Sequence, residues 1–439
     1  VFISGGAGVI GRELVSLLIE AEADIFVGDL QTCPKEFQGL IKYRQGDLNE
    51  ITRQELEDFS PEIFFHLAAT FERSTETYEF WDENYQNNIQ LTHHLVSLIK
   101  DLKTIKKIIF ASSYLIYDPK LYQFKTPQDK PVILSESDPI YPRNLTGVAK
   151  LSHEIDLRFL DGFKRNSYQT ISARIYRGYG CNSRDVISRW IRDLILDKPI
   201  FVYKEEGIFD YIYAADSAKG LLKLSQTNNF TGIVNLGTGK ARKVRDVLEI
   251  LKKYFPNMKI KREEENVDYE ASQANIDLLK KVLNWTPEYS LESAIPLIIN
   301  FEKKKSNLVS HLVLDPKILI TSSGSKPLLI KEMQRALVKL KSDFKLICGD
   351  SNSNCIAKFI VDDFWKMPKT TLENFEKILS GLIEKKINIV LPSRDGELLF
   401  WAANKEKFKS HGISIIISDL KSIKTCLDKL GFYKFGLSN

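Results

Sequence analysis

Cysteine, histidine and methionine are scarce in this 439-residue chain, at five, six and three. Cys33, Cys181, Cys348, Cys355 and Cys426 are odd in number and follow no metal-ligand spacing, and no histidines stand as a metal pair. A disulfide scaffold is excluded, no metal is expected, and reduced thiols in a cytoplasm suit the pattern. No apolar run reaches the roughly 20 residues that span a bilayer, and no signal segment precedes the first strand. An excess of one charge is also lacking. Lysine and arginine total 62 against 57 acidic residues, a formal net charge of +5, and the two signs are interleaved, so no nucleic-acid surface is expected. The length does suffice for two or three domains with sizeable cores. The chain begins without Met inside an apolar strand, so it is expected to be a truncated piece of a longer polypeptide.

The most informative segment is the first. Val1-Phe2-Ile3-Ser4 reads as a strand, followed by Gly5-Gly6-Ala7-Gly8-Val9-Ile10-Gly11 and an amphipathic helix with Leu14, Leu17, Leu18 and Ala21 on one face. In that order, Gly5 turns tightly, Gly8 lets a diphosphate approach the backbone, and Gly11 lets helix and strand pack closely. The helix start, at Val9 and Ile10, presents N–H groups and a positive dipole end to phosphates. A second strand, Ile25-Phe26-Val27-Gly28, ends in Asp29, eighteen residues after Gly11. A carboxylate there accepts both ribose hydroxyls and repels a 2′-phosphate, which favours NAD over NADP. The segment predicts a dinucleotide site.

Strands at Ile41–Tyr43, Ile63–Leu67 and Lys107–Ala111, with a helix at Asn88–Ile99, continue the βα alternation. The fold class is α/β, a doubly wound Rossmann parallel sheet. A helix at Gly147–Leu160 follows proline-rich loops, and 171–304 mixes short strands with the helices Val186–Leu196 and Val244–Tyr254 as a smaller substrate-binding subdomain. A charged stretch makes 305–315 a linker. A second Rossmann-like α/β domain follows at 316–439, with strands at Lys317–Thr321, Phe344–Cys348, Ile387–Leu391 and Ile413–Ile417. Its helices are expected at Lys331–Leu340, Leu372–Ile383 and Glu397–Phe408.

Further motifs of residues 1–304 are Gly46-Asp47-Leu48, His66-Leu67-Ala68-Ala69, Asn87-Asn88-Ile89, Ala111-Ser112-Ser113-x-x-x-Tyr117, Lys150, Asp210-Tyr211-Ile212-Tyr213-x-x-Asp216, Asn235-Leu236-Gly237-Thr238-Gly239 and Leu283-Asn284-Trp285-x-Pro287. With the glycine turn and Asp29 they resemble the extended short-chain dehydrogenase/reductase family, in its NAD-dependent nucleotide-sugar epimerase and dehydratase branch. The resemblance implies that Asp47, with Leu48 beside it, bonds the adenine amino group, and that Ala68 and Ala69 line the cofactor's path. Asn88 would support the phosphate side, with a capping role as the alternative. Ser113 would bond the sugar hydroxyl that is oxidised, and Lys150 would hold the nicotinamide ribose. Arg177 and Arg262 would contact the diphosphate, with solvated charge as the alternative for each. Members often pair as homodimers through two helices, here Asn88–Lys100 and Gly147–Leu160.

Two positions depart from the family. A tyrosine is expected four residues before Lys150, and Thr146 stands there. A tyrosine starts near pKa 10 and a lysine cation lowers it; an aliphatic hydroxyl is no resting base. Phe209 replaces an arginine that helps clamp the substrate. Three accounts of Thr146 stand side by side. The first is an enzyme whose proton transfer has moved to Tyr176, Tyr179 or a water held by Thr146 and Ser113. The second is a natural binder without turnover that serves as a scaffold or sensor, and the third is an introduced substitution that traps a complex. Tyr114-Leu115 follow Ser113 where dehydratases carry Asp-Glu, which favours an epimerase.

Residues 316–439 resemble the domain that precedes the ATP-grasp fold in carbamoyl-phosphate-synthase-like ligases. The likeness rests on Ile318–Ser325, Gly349-Asp350-Ser351-Asn352, Val390–Glu397 and Cys426–Lys429. It implies a link to ATP-dependent ligation, plausible in the assembly of a decorated surface glycan, although the nucleotide-gripping lobes would follow this segment.

Overall fold

Strands buried on both faces, apart from the edge strand at Lys42–Gln45, build the first unit of the computed structural model, which describes all residues except 71–75, 164–167, 229, 264–267, 311–316, 340–344, 362 and 439. They are β1 (Phe2–Ser4), β2 (Phe26–Asp29), β3 (Lys42–Gln45), β4 (Ile63–His66), β5 (Lys107–Ser113), β6 (Gln169–Ile175) and β7 (Gly232–Leu236). All pair in parallel, in the order β7-β6-β5-β4-β1-β2-β3. Alternate residues enter separate cores because side chains of a strand point to opposite faces. Ile3, Val27, Phe65 and Ile109 join Leu14, Val15 and Leu18 of helix α1 (Val9–Glu20). Phe2, Phe26, Phe64 and Ile108 join Leu91, Leu95 and Ile99 of α2 (Leu91–Ile99). Burial on both sides explains strands that read as continuous apolar runs. The strand order turns back between β1 and β4, which places a ligand crevice at their carboxyl ends.

Residues 179–299 close a third core around Ile187, Trp190, Ile191, Val247, Leu251 and Ile295. Between Leu291 and Ser310 the chain is one helix, so the linker expected at 305–315 begins as helix and its remainder lies outside the described residues. Lysine and glutamate propagate a helix well, and the charge run reads as a linker only when that propensity is ignored. The chain divides into compact units at Val1–Lys303 and Lys304–Asn439.

The second unit has a five-stranded parallel sheet of β8 (Lys317–Thr321), β9 (Lys345–Asp350), β10 (Asp363–Lys366), β11 (Ile387–Leu391) and β12 (Ser414–Ile415), ordered β10-β9-β8-β11-β12. Its first helix starts at Pro327, ahead of the expected Lys331, because proline suits a helix's first position. The expected helix Glu397–Phe408 is two, Asp395–Ala403 and Lys405–Ser410, split where the Asn404 side-chain amide donates to the Phe400 carbonyl at 2.8 Å. No helix among the described residues is long and apolar enough to cross a membrane.

Candidate cofactor and catalytic site

The glycine turn sits at the sheet's crevice and its shape is dictated by backbone crowding. Gly5 adopts φ +80°, and a Cβ there would stand 2.6 Å from the Ala68 nitrogen. A Cβ on Gly11 would run into the Gly5 carbonyl oxygen and lie 2.7 Å from the Gly6 Cα. Neither neighbour is a flexible side chain that can step aside. Gly11→Ala is therefore expected to lower stability by about 1–3 kcal/mol, the usual cost of overpacking, and to weaken nucleotide binding further. Thermal unfolding and calorimetry with NAD check both. Gly8 faces open space apart from the Gly5 oxygen at 3.2 Å. The helix that starts after it receives no side-chain cap, which leaves the N–H groups of Val9 and Ile10 to a ligand.

Asp29 is buried at the end of β2 and its carboxylate is held by two main-chain donors, Ala7 N to Oδ2 at 2.9 Å and Gln31 N to Oδ1 at 2.9 Å. Leu48 fills the space beside Gly28, where any Cβ would meet its side chain. Asp47, more exposed, accepts from the main chain of Asn49 at 2.9 Å. Ala68 and Ala69 lie just beyond β4, Ala68 against Gly5. An uncapped helix start after a glycine turn, beside a carboxylate held by main-chain donors, suits a dinucleotide, so these residues fit NAD.

Asn88 is not at the start of a regular helix. It lies in a π-helical stretch, Tyr85–Gln90, preceded by the helix Tyr78–Asn84 and followed by α2. Its side chain accepts from Thr70 N at 2.8 Å and donates to Thr70 Oγ1 at 2.9 Å and Asn84 Oδ1 at 2.7 Å. Asn88 is no helix cap, and its side chain pins the loop after β4 to the π segment. Such one-turn bulges concentrate at functional sites. Ala21 is likewise outside the buried face of α1 and forms its C-cap.

Ser113 ends β5, and its Oγ accepts from Leu115 N at 3.3 Å. Thr146 and Lys150 lie one turn apart on α3 (Leu145–Gly162). Gly147 makes their approach to the Ser113 turn possible, since a Cβ there would be 2.7 Å from the Leu115 carbonyl oxygen. Asn144 caps the helix by accepting from Gly147 N at 2.8 Å. Thr146 Oγ1 is buried without a hydrogen-bond partner among the described residues. Burial pushes the Lys150 ammonium down to about 8, and Nζ sits 4.8 Å from the Phe110 ring centroid.

Groups that sequence reasoning missed support this wall. Ser4 Oγ lies 2.6 Å from His66 Nδ1, and His66 Nε2 lies 2.6 Å from Thr92 Oγ1. Behind Ser113, Ser112 Oγ donates to Glu154 Oε1 at 2.5 Å, and Arg174 Nη2 donates to Glu154 Oε2 at 2.8 Å. Glu154 is one turn beyond Lys150 on α3, a spacing that hints at a shared face, but its partner is distant in sequence.

The expected substrate side is divided. Arg177 lies opposite Tyr211 on a paired strand, its guanidinium 4.9 Å from the centre of the Phe209 ring that replaces the family's arginine. Arg262 is exposed and ion-paired to Glu205 at 2.6 Å, which supports the solvated alternative. Tyr176 and Tyr179 are no resting bases, because burial pushes both phenols up. In the second unit, Ser322 at φ +47° turns the chain after β8, and Asp350 accepts from Gly324 N at 2.8 Å. Glu397, wholly buried, accepts from Thr321 Oγ1 at 2.7 Å. These carboxylates tie loops together at the strands' carboxyl ends. Among the described residues no cluster of His, Cys, Asp and Glu forms a metal site.

The first unit is thus a nucleotide-binding α/β unit of Rossmann type. Residues 1–237 match the NAD dependent epimerase/dehydratase family, and the chain belongs to that family. Residues 318–416 match the PylC-like N-terminal domain. UDP-glucuronate 4-epimerase of Thermodesulfobacterium geofontis is 26% identical over 338 residues, covering 71% of this chain and 98% of that protein. UDP-glucuronic acid decarboxylase 3 of Arabidopsis thaliana is 27% identical over 312 residues, covering 68% and 87%. The fold is also that of the Bacillus cereus UDP-glucuronic acid 4-epimerase solved with UDP-glucuronic acid and NAD. That likeness has a TM-score of 0.60 at 21% identity, covering 69% of this chain and 99% of the other.

Proposed function

We propose that the first unit binds NAD and a nucleotide sugar and transiently oxidises one sugar hydroxyl, as an epimerase rather than a dehydratase. What supports this reading is the glycine cradle and Asp29 at the carboxyl ends of β1 and β2, with Ser113 at the carboxyl end of β5 in the same sheet and Thr146 and Lys150 on α3. The main-chain N–H groups of the turn would hold the diphosphate, and Asp29 the adenosine ribose. Bound there, NAD supplies a two-electron acceptor. Ser113 would orient the sugar hydroxyl and Lys150 the nicotinamide ribose, while Arg177 would meet the sugar nucleotide's diphosphate. A UDP-sugar is the favoured substrate class, supported by the names of the relatives. The epimerase choice rests on Tyr114 and Leu115, both buried, at positions where a dehydrating enzyme needs carboxyl groups. The second unit would serve as the opening domain of an ATP-dependent ligase module.

A second reading is favoured by Thr146 alone: a nucleotide-sugar sensor without turnover. Absorbance in the NADH band separates the two on adding UDP-, GDP- and dTDP-sugars to NAD-loaded protein. Reduction of the bound cofactor supports the enzyme. Binding with no reduction by any sugar overturns it in favour of the sensor.

Cofactor choice gives a further expectation. Asp29→Ala removes a carboxylate that would hydrogen-bond two hydroxyls, so affinity for NAD should fall about 10–100-fold. Affinity for NADP should fall less, since charge repulsion disappears with the acid. Calorimetric titration of both nucleotides measures the ratio.

A further inference from the structure

Three neighbouring elements meet at one main-chain atom, the carbonyl oxygen of Asn88 in the π-helical stretch. Thr92 Oγ1 of α2 donates to it at 2.7 Å, and His153 Nε2 of α3 lies 3.0 Å from it. A carbonyl only accepts, so the His153 proton sits on Nε2. The imidazole is 2% exposed, and burial more than any other cause holds it below its ordinary range. The same reasoning orders the adjoining bonds. Thr92 spends its proton on Asn88, so His66 Nε2 donates to Thr92 and His66 Nδ1 accepts from Ser4 Oγ. The side chain of Asn88 meanwhile faces the other way and holds Thr70, which follows Ala68 and Ala69 in the loop after β4.

His153 also shapes the surroundings of Lys150. Thr146, Lys150 and His153 follow one another at four and three residues along α3, so they share a helix face. Lys150 Nζ stands 4.8 Å from the centre of the Phe110 ring, and the His153 ring meets the same phenyl edge-on, with centres 5.6 Å apart and planes at 88°. His153 Nδ1 faces the Asp156 carboxylate at 3.9 Å, beyond hydrogen-bond reach. Among the described residues the Asn88 carbonyl is therefore the ring's hydrogen-bond partner. One other bond joins α3 to the segment after β4, from Leu145 N to Glu76 Oε1 at 2.7 Å, and it is exposed to solvent. The buried tie is the one through His153.

We infer that His153 is a positioning residue: through the Asn88 carbonyl it locks α3 to the loop after β4, and so fixes where Thr146 and Lys150 stand against a cofactor lying along Ala68 and Ala69. This rests on the nucleotide-sugar reading above. Asn88 is the joint because its two polar functions serve different elements, the side chain Thr70 and the main chain His153. In this scheme His153 touches neither cofactor nor substrate and moves no proton. A neutral hydrogen bond to a carbonyl supplies aim rather than charge. Aim is enough to matter, since a misplacement of about 1 Å at the reacting groups costs about 10²-fold in rate.

The reach of the side-chain donor separates positioning from packing. A glutamine nitrogen falls close to where Nε2 stands, whereas an asparagine nitrogen matches Nδ1 and stops short of the carbonyl. On the full chain loaded with NAD, single-turnover reduction by UDP-, GDP- and dTDP-sugars is compared among the variants. His153→Asn and His153→Leu should slow the step about 10–100-fold while affinities for NAD and the sugar nucleotide stay within about twofold, and His153→Gln should recover most of the rate. Should His153→Leu fail to fold, the asparagine and glutamine variants carry the comparison. An unchanged rate in His153→Asn overturns the inference, and so does a fall of rate, affinity and urea midpoint together in all variants, glutamine included. Hydrogen exchange at Ala68–Thr70 without nucleotide reads the same joint apart from turnover. It should quicken in His153→Asn and stay as in the parent in His153→Gln; no change in His153→Asn overturns the coupling. No reduction by the parent with any sugar overturns the nucleotide-sugar oxidation and with it the effect on rate, and the exchange result then decides the coupling.

Discussion

Glu154→Ala should unfold the first unit more readily than any other single truncation of its polar groups. Arg174 is wholly buried and its guanidinium makes three contacts with Glu154, at 2.8, 3.1 and 3.3 Å. It also donates to the Glu136 carbonyl at 3.0 Å and lies 4.8 Å from the Tyr117 ring centroid. Removing the carboxylate leaves a guanidinium with no countercharge in a low-dielectric setting, and such breaks cost about 3–5 kcal/mol. The Ser112 hydroxyl loses its acceptor at the same time. Glu154→Gln keeps an acceptor and the packing, so it should cost less than Glu154→Ala. The double change Glu154→Leu with Arg174→Met removes both charges and should recover much of the loss. Urea unfolding of the four proteins decides the matter. A loss below about 1 kcal/mol in Glu154→Ala would mean that the pair does not hold α3 to β6.

Thr146→Tyr should raise turnover by about 10²–10⁴-fold, the usual contribution of a well-placed general base. The residue sits one helical turn before Lys150, so a phenol there would share a face with the ammonium. Their attraction lowers the phenol from its usual value near 10, so the variant's rate should rise with pH to a plateau reached below that value. Single-turnover reduction of bound NAD gives both numbers. A variant that binds NAD and sugar as the parent does and gains no rate would show that the missing tyrosine is not what limits the step.

Lys150 also has a consequence for stability. Its pKa is about 8 in the folded chain and 10.5 ordinarily, so the folded state binds fewer protons between those values. The lowered pKa opposes folding fully below about pH 8, and the opposition fades as pH rises toward 10.5. Lys150→Met is expected to be more stable than the parent at pH 7, with the gain shrinking above pH 8. Thermal unfolding across that range reports it.

The parts of the fold with strictly local causes were legible in the chain. Gly5 and Gly11 stand where backbone crowding admits no Cβ, and their spacing with Gly8 and Asp29 marks the turn before any contact is known. The alternation of apolar strands and amphipathic helices gave the parallel sheets for a similar reason, since periodicity is a local property. What escaped depends on partners far along the chain. Nothing around Glu154 signals Arg174 on β6 or Ser112 on β5, and nothing around His66 signals Ser4. The π segment at Tyr85–Gln90 is invisible to a 3.6-residue period, and it rotates Asn88 away from the cap position that a regular helix would assign. Asn404 splits a helix by a single side-chain bond that no window average detects.

Asp29 has both carboxylate oxygens tethered to peptide nitrogens of the glycine turn and of its own strand's exit. If Asp29 takes the adenosine ribose as proposed, docking would freeze no rotor at that residue, and the arriving sugar would meet an acceptor already aimed. On that proposal, selectivity between the phosphorylated and plain nucleotide would be a rigid, lock-like judgement, made in the encounter itself rather than by a later rearrangement.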